Sequence, residues 1–245
     1  MNTQSTIQKM QQLRLYGMSE IYQRAIKENL FSAYTNDEFI ALLVDTEWES
    51  KQNMRILNLV KNAGFRQNIT SLNIDYTSNR KLDRNMFERL LSLQFLKQAE
   101  NIIITGPTGV GKSYLAQCLG KSCCAHGVKT IYMNCGELIE KVKLSKIEGT
   151  YTKLLKKLYS FELFIIDDFG LHAFDNHSRQ ALMDIIENRY DRVSTIIASQ
   201  IPVSEWHQTI GEGTIADAIL DRLVYSSHRI DLNGESLRKN RKLKG

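Results

Sequence analysis

Proline is nearly missing from this chain of 245 residues: Pro107 and Pro202 are the two that occur, and glycine is sparse ahead of residue 106. No run of eighteen apolar residues exists, which excludes a membrane-spanning helix. The opening Met1-Asn2-Thr3-Gln4-Ser5 lacks the charged-then-apolar pattern of a secretory leader, so a cytoplasmic protein is expected. The four cysteines, Cys118, Cys123, Cys124 and Cys135, show no paired C-x-x-C spacing, and buried, reduced thiols are expected. Cys123 and Cys124 with His126 make a poor tetrahedral set, so no metal site is expected there. A strong charge imbalance is missing too. The net charge of +5 supports only a weak preference for polyanions. There is no internal repeat and no low-complexity tract.

What remains is an ordinary globular composition, 42% hydrophobic and 24% charged. The length suits one domain of common size with a smaller one beside it. Residues 1 to about 62 read as helical throughout, with Asn36-Asp37 placed to cap a helix through Phe39, Ile40, Leu43, Val44, Glu47, Arg55, Leu59 and Val60. Ala63-Gly64 stops it, and a polar connector from Phe65 to Arg84 follows. A helix over about 85–98 leads to the strand 101–105. Strands and helices then alternate: strand 129–134, helices 136–144 and 151–159, strand 163–167, helix 178–192, strand 195–199, helix 214–223 and strand 228–232. Such alternation predicts an α/β fold whose parallel sheet is covered by helices on both faces.

Between the first strand and its helix lies Gly106-Pro107-Thr108-Gly109-Val110-Gly111-Lys112-Ser113, followed by Tyr114. The pattern G-x-x-x-x-G-K-[ST] is that of a phosphate-binding loop. Backbone N–H groups of such a loop, at a helix N-terminus, cradle the α- and β-phosphates of a nucleotide. Lys112 would reach the β- and γ-phosphates and the Ser113 hydroxyl would ligate Mg²⁺. The apolar strand Leu163-Phe164-Ile165-Ile166 ends in Asp167-Asp168, where Asp167 can hold Mg²⁺ through water and Asp168 can orient the attacking water. Ser199-Gln200 ends another apolar strand and would stand beside the γ-phosphate if that strand lies between the loop strand and the Asp167 strand. Two arginines near the C-terminus, Arg222 and Arg238, could each steady transition-state charge from the same chain or a neighbour, or could be ordinary surface ion pairs. Lys141, Lys143, Lys146, Lys153, Lys156 and Lys157 cluster between the second and third strands, and a basic tail runs to Lys244. Several basic clusters beside a nucleotide site point to nucleic acid, bound mainly through phosphates and without strong sequence preference.

Taken together, Gly106 to Ser113, Leu163 to Asp168, Ser199-Gln200, Ile219-Leu220-Asp221-Arg222-Leu223 and Gly234-Glu235-Ser236-Leu237-Arg238 resemble the IstB family. These are AAA+ transposition-helper ATPases related to the DnaC helicase loaders. Leu13-Arg14-Leu15-Tyr16-Gly17-Met18 and the junction from Phe87 to Ile102 are similar as well. The resemblance implies a small helical N-terminal domain with its connector, residues 1–82, and an AAA+ ATPase domain with a short basic tail, residues 83–245. It implies ATP-dependent oligomers on DNA that hand target DNA to a partner transposase. By position, Lys112, Ser113 and Asp167 would bind nucleotide and Mg²⁺, and Asp168 would activate water. Ser199 and Gln200 would form the first sensor, Arg222 the finger reaching a neighbour's ATP, and Arg238 the second sensor. The stretch Lys141 to Lys157 would face DNA.

Two departures stand out. Asp168 replaces the usual glutamate and is one methylene shorter, which suits slow hydrolysis. Too little chain follows Leu232 for the usual helical lid. A replicative-helicase loader shares these motifs. A small-molecule kinase also uses such a loop, but no closing lid is legible.

Overall fold

The computed structural model describes residues 3–66, 74–77, 80–211 and 213–237. It divides into two compact units, Met1–Asn58 and Leu59–Gly245. The first unit is helical: α1 (Thr3–Gln12), α2 (Tyr16–Lys27), a turn of 3₁₀ helix at Leu30–Ala33, and α3 (Asn36–Asn62), which runs on past the division. The helical stretch expected over residues 1 to about 62 is interrupted at Arg14 (φ 60°) and Asn29 (φ 52°), where left-handed backbone ends a helix. The cap of α3 lies one residue ahead of Asn36. Thr35 N–H donates to Glu38 Oε2 at 2.8 Å and Glu38 N–H donates to Thr35 Oγ1 at 3.3 Å, a reciprocal capping box.

In the second unit, α4 (Arg84–Leu91) and α5 (Gln94–Lys97) precede a sheet of β1 (Asn101–Thr105), β2 (Thr130–Asn134), β3 (Leu163–Phe169), β4 (Ser194–Ser199) and β5 (Ser227–Asp231). The connecting helices are α6 (Lys112–Ala125), α7 (Cys135–Ile147), α8 (Tyr151–Tyr159), α9 (Asn176–Arg189), α10 (Trp206–Ile210) and α11 (Gly213–Val224). All neighbouring strands are parallel, in the order β2-β3-β4-β1-β5. The single helix expected over 85–98 is instead two. Leu93, at φ 61°, turns the chain after α4, and its buried side chain anchors the turn.

Alternation along each strand sorts the core into two layers. Ile103, Phe164, Ile166 and Ile197 face one side, under α7, α8, α9 and α11. Ile102, Ile104, Leu163, Ile165, Ile196 and Ala198 face the other, under α4, α5 and α6. The central strands are buried on both faces, as a parallel sheet between helices requires. The exposed residues of the edge strand β5 are polar, Arg229 and Asp231 among them. All four cysteines are buried free thiols, and burial pushes Cys118 and Cys135 up to about 11.

This order sets the site. The chain leaves β1 for the far edge at β2, returns through β3 and β4, then passes β1 to reach β5. The crevice at the carboxyl ends of β1, β4 and β3 is therefore where a ligand sits in an open parallel sheet.

Candidate nucleotide-binding site

The phosphate loop bridges Thr105, the last residue of β1, and Lys112, the first of α6. Gly106 and Gly109 are required by close backbone approach. At Gly106 (φ 142°) a Cβ would stand 2.3 Å from the Leu232 carbonyl oxygen, and at Gly109 (φ 86°) it would stand 2.1 Å from Ser236 Oγ. Leu232 N–H donates to the Thr105 carbonyl (2.8 Å) and Leu237 N–H to the Gly109 carbonyl (3.0 Å). The segment 232–237 thus lies along the loop. Arg238, expected as a second sensor, lies outside the described residues.

Lys112 is 6% exposed, and its Nζ donates to the Pro107 carbonyl at 2.9 Å, folded back over the loop it would serve. Gly111 caps α6 in a left-handed turn, so the first N–H groups of that helix open toward the concavity. Ser113 and Tyr114 occupy its first turn. Arg80, in the connector, is 3% exposed and donates from Nη1 to the Val110 carbonyl (3.2 Å) and from Nη2 to the Asp75 carbonyl (2.7 Å). Nothing in the chain's pattern marks this contact, since a lone arginine in a polar stretch reads as solvated.

Opposite the loop, Asp167 is 2% exposed and both its oxygens accept hydrogen bonds. Oδ1 takes the Asp168 N–H at 2.9 Å, and Oδ2 takes the Tyr132 hydroxyl at 2.5 Å. Burial, then the hydrogen bond to Asp167, holds the Tyr132 phenol far above its ordinary range, so it stays a donor. β3 was expected to end at Asp167 but continues to Phe169. The strand passes Asp168 in a left-handed conformation (φ 54°) with a register irregularity between Ile166 and Phe169. That kink turns Asp168 toward Asn134 on β2, whose Nδ2 donates to Asp168 Oδ2 at 2.7 Å. Asn134, which sequence reasoning missed, pairs in register with Asp167; a polar residue closing the strand is the signal that could have found it.

Strand β4 does lie between β1 and β3, the condition set for Ser199 and Gln200. Only Gln200 reaches the loop. Thr108 Oγ1 donates to Gln200 Oε1 at 2.6 Å, and Gln200 Nε2 donates to Asp168 Oδ1 at a long 3.4 Å. The Ser199 hydroxyl donates instead to the Phe169 carbonyl (2.7 Å) and accepts from Ile201 N–H (3.1 Å), bracing the bend after β3. Loop, Gln200, Asp168 and Asn134 thereby form one connected chain of contacts across four strand ends.

The remaining candidates lie elsewhere. Arg222, on α11, pairs with Glu187 (Nε to Oε2, 2.6 Å) and donates to the Ala218 carbonyl (2.9 Å). Its own carbonyl accepts from Asn101 Nδ2, at the first residue of β1, whereas the loop follows the last. Lys141 pairs with Glu137 (2.7 Å), Lys143 with Asp175 (2.8 Å), and Lys146 lies over the Tyr151 ring (4.9 Å). Among the described residues Lys153, Lys156 and Lys157, exposed along α8, make no ion pair.

A parallel sheet, a glycine-rich loop capping α6 and paired aspartates at the neighbouring strand end describe a P-loop nucleotide site. The family of IstB-like ATP binding proteins matches residues 8–245. The chain belongs to this family. Its relatives include the insertion sequence ATP-binding protein y4pL of Sinorhizobium fredii, 38% identical over 239 residues, with 98% of each chain covered. The IS1162 ATP-binding protein of Pseudomonas fluorescens is 32% identical over 205 residues, covering 83% of this chain and 89% of that one. Among solved structures, DnaI superposes with a TM-score of 0.60 at 18% identity, over 71% of this chain and 93% of that one. DnaA from Aquifex aeolicus bound to AMPPCP gives 0.60 at 18% identity, over 74% and 56%. These likenesses establish the AAA+ fold of this IstB-like chain.

The donor set fits Mg²⁺. Among the described residues no cluster of three or more His, Cys, Asp or Glu could hold a metal ion. Mg²⁺ asks for less: one or two protein oxygens, with phosphate oxygens and water completing its shell. Ser113 and Asp167 would supply the protein oxygens, and the ion would neutralise charge on the phosphates.

Proposed function

We propose that this IstB-like protein binds Mg²⁺ and ATP at the phosphate loop, assembles on duplex DNA, and delivers that DNA to the transposase of its insertion sequence. ATP lies over the loop with Lys112 on its terminal phosphates. Asp168 orients the attacking water, restrained by Asn134, while Gln200 links the loop to that acid. Hydrolysis is slow and rises with DNA. The lysines of α7 and α8 meet DNA phosphates.

One observation carries the assembly. Arg222 is anchored at the start of β1, and the phosphates bind past its end, a strand of five residues away. At about 3.3 Å per residue that span is roughly 13 Å along the strand, beyond what a side chain tied to Glu187 and Ala218 covers within its own subunit. That placement supports reading Arg222 as a finger for a neighbour's site, with each subunit's own site incomplete without one. Arg222→Ala should abolish hydrolysis under assembling conditions while leaving ATP affinity within about twofold, a loss of roughly 10³-fold for a finger in trans. Mixing it with Lys112→Ala chains, which still carry Arg222, should restore part of the activity. Unchanged turnover in Arg222→Ala, or no recovery on mixing, refutes a shared site.

A further inference from the structure

We propose that Tyr132 is a positioning residue for Asp167, and that the segment Ala63–Arg66, leaving the end of α3, sets how the metal-holding oxygens are presented. This rests on the reading of Ser113 and Asp167 as the holders of Mg²⁺.

Tyr132 sits mid-way along the edge strand β2. Its neighbours Ile131 and Met133 point into one core layer, and its ring points into the other, where the hydroxyl meets Asp167 Oδ2. An edge strand leaves alternate N–H groups without a sheet partner. The Tyr132 N–H is instead taken by the Ala63 carbonyl at 2.7 Å. The next residues close over the ring: Phe65 at 6.4 Å between centroids and the Arg66 guanidinium at 6.0 Å above it. Phe65 also fills a slot against α6, where a Cβ on Gly120 would come within 2.9 Å of its ring.

The same segment also reaches the backbone of Ser113. Arg66 N–H donates to Gln117 Oε1 (2.8 Å), and Gln117, 1% exposed on α6, donates from Nε2 to the Ser113 carbonyl (3.1 Å). Ala63, Phe65 and Arg66 thus connect to Asp167 through Tyr132, and Arg66 connects to the Ser113 carbonyl through Gln117. A polar residue that grips a metal-holding carboxylate fixes its rotamer and its free lone pairs. Displacement of Ala63–Arg66 therefore acts on the Asp167 carboxylate through Tyr132 and on the backbone that carries the Ser113 hydroxyl through Gln117.

The test is Mn²⁺ binding, followed by electron paramagnetic resonance, to the full chain saturated with a non-hydrolysable ATP analogue. Tyr132→Phe keeps the ring and removes the hydroxyl. It should weaken Mn²⁺ roughly tenfold, with affinity for the metal-free analogue unchanged within about twofold. Phe65→Ala should shift Mn²⁺ in the same direction, and Phe65→Tyr should restore it. Normal Mn²⁺ affinity in Tyr132→Phe overturns the positioning role. A shift there with none in Phe65→Ala overturns the role of the segment. If Tyr132→Phe does not fold, Phe65→Ala and its rescue decide. Asp167→Asn separates the underlying reading: unaltered Mn²⁺ affinity in that variant removes Asp167 from the metal site, whatever Tyr132 does.

Discussion

Asn134 has two jobs that substitution can separate. Its Oδ1 accepts the Gly136 N–H at 2.9 Å and caps α7, and its Nδ2 holds Asp168 at 2.7 Å. Losing such a cap costs about 1 kcal/mol. Losing a hydrogen bond to an ionised group costs about 1.5–3 kcal/mol, and the low end applies because Asp168 is partly exposed. Asn134→Ala should therefore destabilise the second unit by about 2.5 kcal/mol, or roughly 5–10 °C in melting temperature for a unit of this size. Asn134→Ser keeps a good capping oxygen and lets Asp168 go, so it should cost about 1.5 kcal/mol. Both variants should hydrolyse ATP about tenfold more slowly with ATP affinity unchanged, because an acid in a left-handed backbone turn has lost its restraint. Urea unfolding gives the first pair of values and steady-state phosphate release the second. Equal destabilisation by Ala and Ser, or wild-type turnover in both, refutes the assignment.

Three further outcomes follow from particular contacts. Gly109→Ala should lose about 1–2 kcal/mol in urea unfolding, from the left-handed backbone alone. It should also weaken ATP, and adding Ser236→Gly should recover the clash but not the backbone strain. Asp175 caps α9, its carboxylate held well below the usual range by Lys143 and then by Ser178. Its folded pKa is depressed, so its contribution is complete above about pH 4 and fades as pH falls through the carboxylate range; Asp175→Ala should flatten the acid limb of a stability–pH curve. Replacing Lys153, Lys156 and Lys157 together by Ala should reduce the salt slope of duplex binding by up to about 2.7, at about 0.9 per phosphate contact. Lys141→Ala should change it less, since Glu137 already pairs with that lysine.

Most of the fold was legible because the strands are short apolar runs closed by polar residues. The loop strand, the Asp167 strand and the Gln200 strand fell within a residue or two of their observed ends. The breaks at Arg14, Asn29 and Leu93 were not legible: arginine and leucine rarely adopt a left-handed backbone, and a lone Asn29 among helix formers is a weak stop signal. Glycine spacing and the order of polar strand ends located the loop, Lys112, Asp167, Asp168 and Gln200. What composes the site from outside those motifs stayed hidden. Tyr132 reads as one more core aromatic, Arg80 and Arg66 as connector charges, and Gln117 as a helix polar residue. Each becomes meaningful only when β2 is laid beside β3 and the connector is laid over α6. Ser199 shows the converse: adjacent to Gln200 in sequence, it closes β4 with its hydroxyl on the Phe169 carbonyl, while Gln200, just past the strand, reaches the loop.

Calorimetric titration of the full chain with ATP in the presence of Mg²⁺ puts the whole construction at stake. One nucleotide per chain should bind to the wild type and none to Lys112→Ala at the same concentrations. Absence of binding by the wild type, or equal binding by both, contradicts a phosphate site built on this loop.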